Sequence, residues 1–340
     1  MKKVGWQKLC RFCHLEGMSN LQLPDHLLLL LQQAADNYQS IAAKRKVGRP
    51  PTYSAVSFLL LAMTAVVLRT FDEIELHRLL LNDQDLLTAC GFPQPPHRKT
   101  IGRRLAALVP EAETQVRLLG KQIRRALPGA VSISAIDGRM YQATGSRWHK
   151  RDRQAGVIPL KLRNVDTESS WSKSNYRGWI QGYRLVVQTL VLPMPVPLFA
   201  AWVSNEVGEA TVAKQAIKQE RLCLTDVLLG DETFGGTDLT RLYAKSGGWL
   251  LTPKQLPPQN RTWKDDLYEY RKETIELLFQ RIIQTADLKS CQVKGNGKNG
   301  AFVLANVWLY QIIFLMNLHQ KKPLANVKEQ VDLARWRIPI

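Results

Sequence analysis

The chain has 340 residues, enough for two domains or for one with a sizeable core, and its 45% hydrophobic and 22% charged content excludes a disordered protein. Lys plus Arg number 47 against 29 Asp plus Glu, a formal net charge of +18, which favours a polyanionic partner and argues against an acidic ligand-binding or solvating chain. Five cysteines, odd and scattered, exclude a disulfide framework, and Cys10, Cys13 and His14 lack the second pair that a zinc site needs.

Residues 1–130 read as a helical N-terminal region. MKKVGWQKLCRFC has no apolar leader core, and the first helix is expected over Leu21–Ala35. KRKVGRPP, residues 44–51, then breaks the pattern as a basic arm, in which Lys44, Arg45, Lys46 and Arg49 are candidate DNA contacts. A charged linker is the competing reading of this stretch. A long apolar helix follows from Ala55, too short to span a bilayer, then helices near Phe71–Leu80 and Leu86–Cys90. Thr100 is the expected N-cap of IGRRLAAL, whose Arg103 and Arg104 suit a recognition helix.

From Val131 the period changes to that of strands, and residues 131–320 read as an α/β domain. VSISAID is the first strand. Tyr183–Leu192 and Pro197–Ser204 form a hairpin, and helix is expected over Glu206–Gln219. DVLLGD is a short buried strand, with helix at Thr237–Lys245 and strand at Gly248–Leu251 after it. Residues 254–268 read as a polar loop before an amphipathic helix over Glu269–Gln284, with Ile275, Leu278, Phe279 and Ile282 on its inner face. A last apolar helix over Ala301–Leu318 precedes a polar tail, 321–340, expected to be loosely held. With no stretch of spanning length, the expectation is a cytoplasmic protein without membrane contact.

Three carboxylates stand where chemistry would want them. Asp137 ends the first strand in SAIDG, and Asp231 ends a second in LLGDETFGG. Clefts in open α/β sheets form beyond the carboxyl ends of strands. Glu276 borders the apolar stripe of the late helix, and Glu273, one turn earlier, is its rival. Singly, each acid reads as a turn former, a cap or a solvated charge. Together, in a strongly basic chain, they fit an oxygen-donor site for Mg²⁺, with Mn²⁺ as its substitute.

The segments AIDG, LLGDETFGG and TIELLF, in this order, resemble the transposases of bacterial insertion sequences that cut DNA with an Asp-Asp-Glu triad. The resemblance runs from about Val47 to Leu318 and includes RPPTYSAVSFLLLA and HRKTIGRRLAAL. In the last block Lys272, Ile275, Glu276 and Phe279 match a basic residue, an Ile-Glu pair and an aromatic. Where many relatives carry Tyr and Lys, this chain has Glu269 and Ile283, with Arg281 a possible stand-in for the latter.

The resemblance implies a ribonuclease-H-like catalytic domain, a mixed sheet flanked by helices, preceded by a helical DNA-binding region. It implies Asp137, Asp231 and Glu276 as catalytic metal ligands, terminal inverted repeats and target DNA as partners, and endonuclease and strand-transfer activity. It also implies a homodimer or higher synaptic complex on DNA, in the nucleoid of a bacterium. A nuclease that cuts without joining, an inactive DNA-binding regulator and an RNA-binding protein are the alternatives. Arg139, Arg147, Lys150, Arg151, Lys272 and Arg281 are further candidate DNA contacts, and Trp148, Trp171 and Trp179 candidate base-stacking platforms.

Overall fold

A computed structural model of the chain describes residues 25–40, 52–174, 177–255 and 262–335. The basic arm with Lys44, Arg45, Lys46 and Arg49, and the Cys10–Cys13–His14 group, lie outside the described residues.

The N-terminal part is helical: α1 (Asp25–Asn37), α2 (Ala55–Leu68), α3 (Glu73–Asn82), α4 (Gln84–Ala89), α5 (Arg98–Ala106) and α6 (Val109–Ala126). Helix α2 is apolar all round and accordingly buried from Ser57 to Val67. Ser54 caps its start, and Arg69 ends it in the left-handed conformation, φ 56°. Asp72 caps α3 by accepting from the amides of Ile74 and Glu75. Thr100 is not the cap of α5. The helix begins three residues earlier, where the ring of His97 accepts from the Lys99 amide at 3.3 Å.

The remainder is a mixed sheet between helices. Its strands are β1 (Ile133–Gln142), β2 (Ser170–Ser174), β3 (Gly178–Leu190), β4 (Pro197–Ser204), β5 (Val227–Leu229) and β6 (Trp249–Leu251). The order is β2-β3-β1-β5-β6, with β4 also paired to β3. β3 is antiparallel to β1, β2 and β4, while β5 is parallel to both β1 and β6. The expected hairpin is thus β3–β4. Between the strands lie α7 (Lys150–Gln154), α8 (Glu209–Lys218) and α9 (Thr237–Lys245). After β6 come α10 (Trp263–Ala286), α11 (Asn296–His319) and α12 (Val327–Leu333).

Side-chain alternation assigns the two faces of the sheet. Ile136, Val186, Phe199 and Ala201 pack under α8 and α9 with Val212, Leu239 and Tyr243. The opposite face, through Tyr141, Tyr183, Leu185, Val187 and Trp202, joins α10, α11 and the N-terminal helices in one continuous core. That core crosses the boundary expected near residue 130.

Helix α11 is central to it. It is the single helix among the described residues long and apolar enough to cross a membrane, and 94% of its apolar window is buried inside the protein. Its polar side chains are matched to buried backbone: Asn306 donates to Ile282 O at 2.7 Å, and Gln311 donates to Val116 O at 2.9 Å and Pro197 O at 2.8 Å.

Three boundaries differ from expectation. Helix α10 starts at Trp263, six residues early, because Asp265 accepts from the amide and hydroxyl of Thr262 at 2.7 and 3.0 Å. Helix α11 starts at Asn296, within a glycine-rich stretch that reads as loop; a Cβ on Gly297 would lie 2.0 Å from Ala106 O, so glycine there lets α5 and α11 touch. The tail is not loose over its first part: α12 buries Val327 and Val331, and Arg335 Nε donates to Val67 O at 2.6 Å.

Candidate metal centre

Asp137 lies midway along β1, opposite Val187 of β3. Its side chain shares a face with Ala135 and Arg139, the face that α10 covers. One oxygen accepts from the Gly138 amide at 2.8 Å, and the other meets Arg271 Nη2 of α10 at 3.1 Å. Asp231 follows β5, whose parallel pairing with β1 brings it beside Asp137. Its Oδ1 accepts from the Thr233 amide at 2.9 Å, so it also caps the 3-10 turn Glu232–Phe234.

The third acid of the tightest cluster is Glu209. One carboxylate oxygen from each of Asp137, Glu209 and Asp231 lies within 4.8 Å of the other two. Glu209 opens α8, where the helix dipole favours a negative charge. It arrives from the opposite face of the sheet and passes over Gly138, where a Cβ would stand 2.3 Å from its Oε1. Buried Arg184 holds it from β3, Nε to Oε1 at 3.4 Å.

Burial raises the Asp137 carboxyl to about 6, against the pull of Arg271 and the Gly138 amide and with Asp231 and Glu276 adding repulsion. Burial raises Glu209 to about 7, with Asp137 and Asp231 adding to it and Arg184 opposing. Crowded carboxylates that hold on to their protons are what a divalent cation relieves. The donors are all hard oxygens, so the set fits Mg²⁺ or Mn²⁺.

Glu276 faces the site from α10, near enough for its charge to raise Asp137, though outside the tight trio. Glu273 is exposed on the same helix and is not among the charges acting on Asp137. The basic residue turned to the site is Arg271, half in contact with the Tyr268 ring at 5.9 Å, whereas Lys272 is exposed. Glu209, Arg271 and Arg184 were not singled out from the sequence. The only available signal was the position of Glu209 at the start of a helix after the hairpin, which Glu206 shares.

The candidate DNA contacts divide. Arg147, Lys150 and Arg151 are exposed beyond the end of β1, and Lys150 Nζ lies 4.7 Å from the ring centre of Trp179, itself 53% exposed. Trp148 is core, and its carbonyl accepts from Trp171 Nε1 at 2.6 Å, so neither offers the open ring that Trp179 does. Arg103 is exposed, but Arg104 is taken up by the fold: Nη2 donates to Tyr53 O at 2.7 Å and the guanidinium covers Phe58 at 5.2 Å. Arg281 turns inward to the hydroxyl of buried Tyr310. Arg139 is half-buried, with its Nε enclosed and without a hydrogen-bond partner.

No family model matches the chain, and no curated protein does. Among solved structures, the chain is similar to the piggyBac transposase in its synaptic complex with hairpin DNA, at 10% identity and a TM-score of 0.41, over 93% of this chain and 80% of that one. It is similar also to the Mos1 transposase in a paired-end complex with the left transposon end, at 10% identity and a TM-score of 0.20, over 92% of this chain and 88% of that one.

Proposed function

We propose that this chain is a transposase that cuts and joins DNA at the cluster of Asp137, Asp231, Glu209 and Glu276. The observation that carries the reading is the convergence of Asp137 and Asp231, 94 residues apart in sequence, at neighbouring parallel strands in a chain of charge +18. The strand order, with β3 antiparallel between β1 and β4, supports a ribonuclease-H-like catalytic domain. The helices before it are then the DNA-binding region. The segments that resemble insertion-sequence transposases include both aspartates and Glu276, which supports a mobile element's terminal repeats as the substrate and a synaptic dimer or higher complex as the working form.

Mg²⁺ or Mn²⁺ bound here would polarise the scissile phosphodiester and ease deprotonation of the attacking water. Asp137, Asp231 and Glu209 hold the cation, and Glu276 closes the site from α10. Arg271, released from Asp137, is placed to meet phosphate oxygen. In the first reaction a water oxygen bonds to phosphorus and the P–O3′ bond breaks, leaving a 3′-hydroxyl and a 5′-phosphate. In the second that 3′-oxygen bonds to a target phosphorus, loses its proton and displaces the target's own 3′-hydroxyl.

The test is nicking of supercoiled DNA and joining of a labelled pre-cut 3′-end to a plasmid, each with and without Mn²⁺. Joining abolished by Asp137→Ala, Asp231→Ala and Glu276→Ala, and retained by Glu273→Ala, supports the reading. Nicking without joining reduces it to a nuclease. DNA binding with neither activity leaves a regulator.

A further inference from the structure

Beyond the carboxylates, α10 borders a second feature. A cavity of about 480 Å³ opens between its C-terminal half, β1, the end of α2 and the start of α12. Its walls carry Arg69, Arg139, Lys289 and Lys328, against one carboxylate, Asp287. Asp287 is shared by Arg69 at 3.5 Å and Lys289 at 3.4 Å, which fixes both cations around the opening. Arg139 forms the floor, and its enclosed Nε has no hydrogen-bond partner. An enclosed guanidinium N–H without an acceptor is costly, and an anion entering the cavity would satisfy it. Burial, with Arg177 nearby, weakens the hold of Arg139 on its proton, which an anion would restore.

We propose that this cavity binds a backbone phosphate of the DNA strand that runs into the carboxylate cluster. Two spacings place it on that path. Arg139 follows Asp137 by two residues on the same face of β1, about 7 Å along the strand. Gln280, also in the wall, follows Glu276 by one turn of α10, about 6 Å along the helix. One phosphate held here while another sits at the carboxylates matches the spacing of neighbouring phosphates on one strand, roughly 6–7 Å by the residue spacings above. The walls carry no aromatic ring to stack a base, so the cavity takes the backbone and not a nucleobase. The proposal rests on the reading of the cluster as a DNA-cutting site.

The experiment is the salt dependence of duplex DNA binding by the full chain, read by fluorescence anisotropy, with nicking measured in parallel. Lys289→Gln/Lys328→Gln removes two exposed charges, 75% and 61% accessible, that the fold does not need. It is expected to flatten the slope of log K against log salt by about 1–2, at roughly 0.9 per lost phosphate contact. Arg139→Gln is expected to flatten it by about 1. Lys218→Gln/Lys245→Gln removes the same charge from α8 and α9 on the other face of the sheet and is expected to leave the slope unchanged. Unaltered slopes in the first two variants, or an equal change in all three, overturn the proposal. Inorganic phosphate that competes at constant ionic strength would make free phosphate the ligand and overturn the backbone assignment. If slopes separate as stated while no variant or wild type nicks DNA, the subsite stands and the catalytic reading falls; if nicking proceeds and the slopes do not separate, only the subsite falls.

Discussion

Glu209 reaches Asp137 only because residue 138 has no side chain. A Cβ there would lie 2.3 Å from Glu209 Oε1 and 2.6 Å from its Cγ, so the carboxylate would have to swing out of the cluster. Two acids from opposite faces of one sheet meet through that gap.

Gly138→Ala is therefore expected to leave the fold largely intact and to damage the site. Only a side-chain rotation is demanded of Glu209, so the loss of stability should stay within about 1–2 kcal/mol. Mn²⁺ affinity, measured by calorimetry, should fall at least tenfold, roughly 1.4 kcal/mol. Unchanged affinity would remove Glu209 from the metal site.

Divalent cations are expected to raise the melting temperature near neutral pH. A ligand that binds only the folded state, at a hundred times its dissociation constant, stabilises by about 2.7 kcal/mol. The Mn²⁺-induced increment should disappear in Asp231→Asn and shrink in Glu209→Gln. An increment equal in all three proteins would place the cation elsewhere.

The metal-free chain should lose stability as pH rises. Asp137 shifts from an ordinary 3.8 to about 6, and Glu209 from 4.5 to about 7. Both are raised in the fold, so their contribution is complete below about 4 and declines until about 7, a span on the order of 1–3 kcal/mol for each group. Denaturant melts between these limits would show the slope, and Asp137→Asn, neutral throughout, should flatten it. A slope of opposite sign would mean that the arginines dominate both acids.

Arg103 and Arg104, adjacent on α5, should behave oppositely. Arg104→Gln breaks a charged hydrogen bond to Tyr53 O and a contact with Phe58, and is expected to cost about 1–3 kcal/mol of stability. Arg103→Gln should leave stability within about 0.5 kcal/mol and act, if at all, on DNA affinity. Chemical denaturation of the two variants separates them.

How far the sequence revealed the site depended on the kind of local mark each residue carries. Asp137 and Asp231 were legible because an apolar strand that ends in an acid has few other reasons to do so. Glu276 was legible from its place beside a helical stripe. Glu209 was not, since a glutamate in the first turn of a helix is ordinary, and its role comes from a glycine seventy-one residues earlier. Lys272 and Arg271 are neighbours in sequence but differ by about 100° around α10, and which of them faces Asp137 depends on how the helix is seated. The strands and the hairpin followed from alternation, whereas the start of α11 was hidden by glycines that serve close packing. The inward turn of Arg104 and Arg281 depends on tertiary partners, Tyr53 and Tyr310, distant in the chain.

The position of α11 sets the order in which the molecule can become itself. During synthesis the N-terminal helices emerge first, yet the surface on which α2, α5 and α6 pack is supplied by residues 296–319, near the other end. Until that segment has left the ribosome, the apolar length of α2 has no permanent partner and must be sheltered or remain unsettled. Long-range contacts of this kind delay folding, because the chain between must be closed into a loop first. The nascent protein is thus held back from binding or cutting anything until nearly all of it exists.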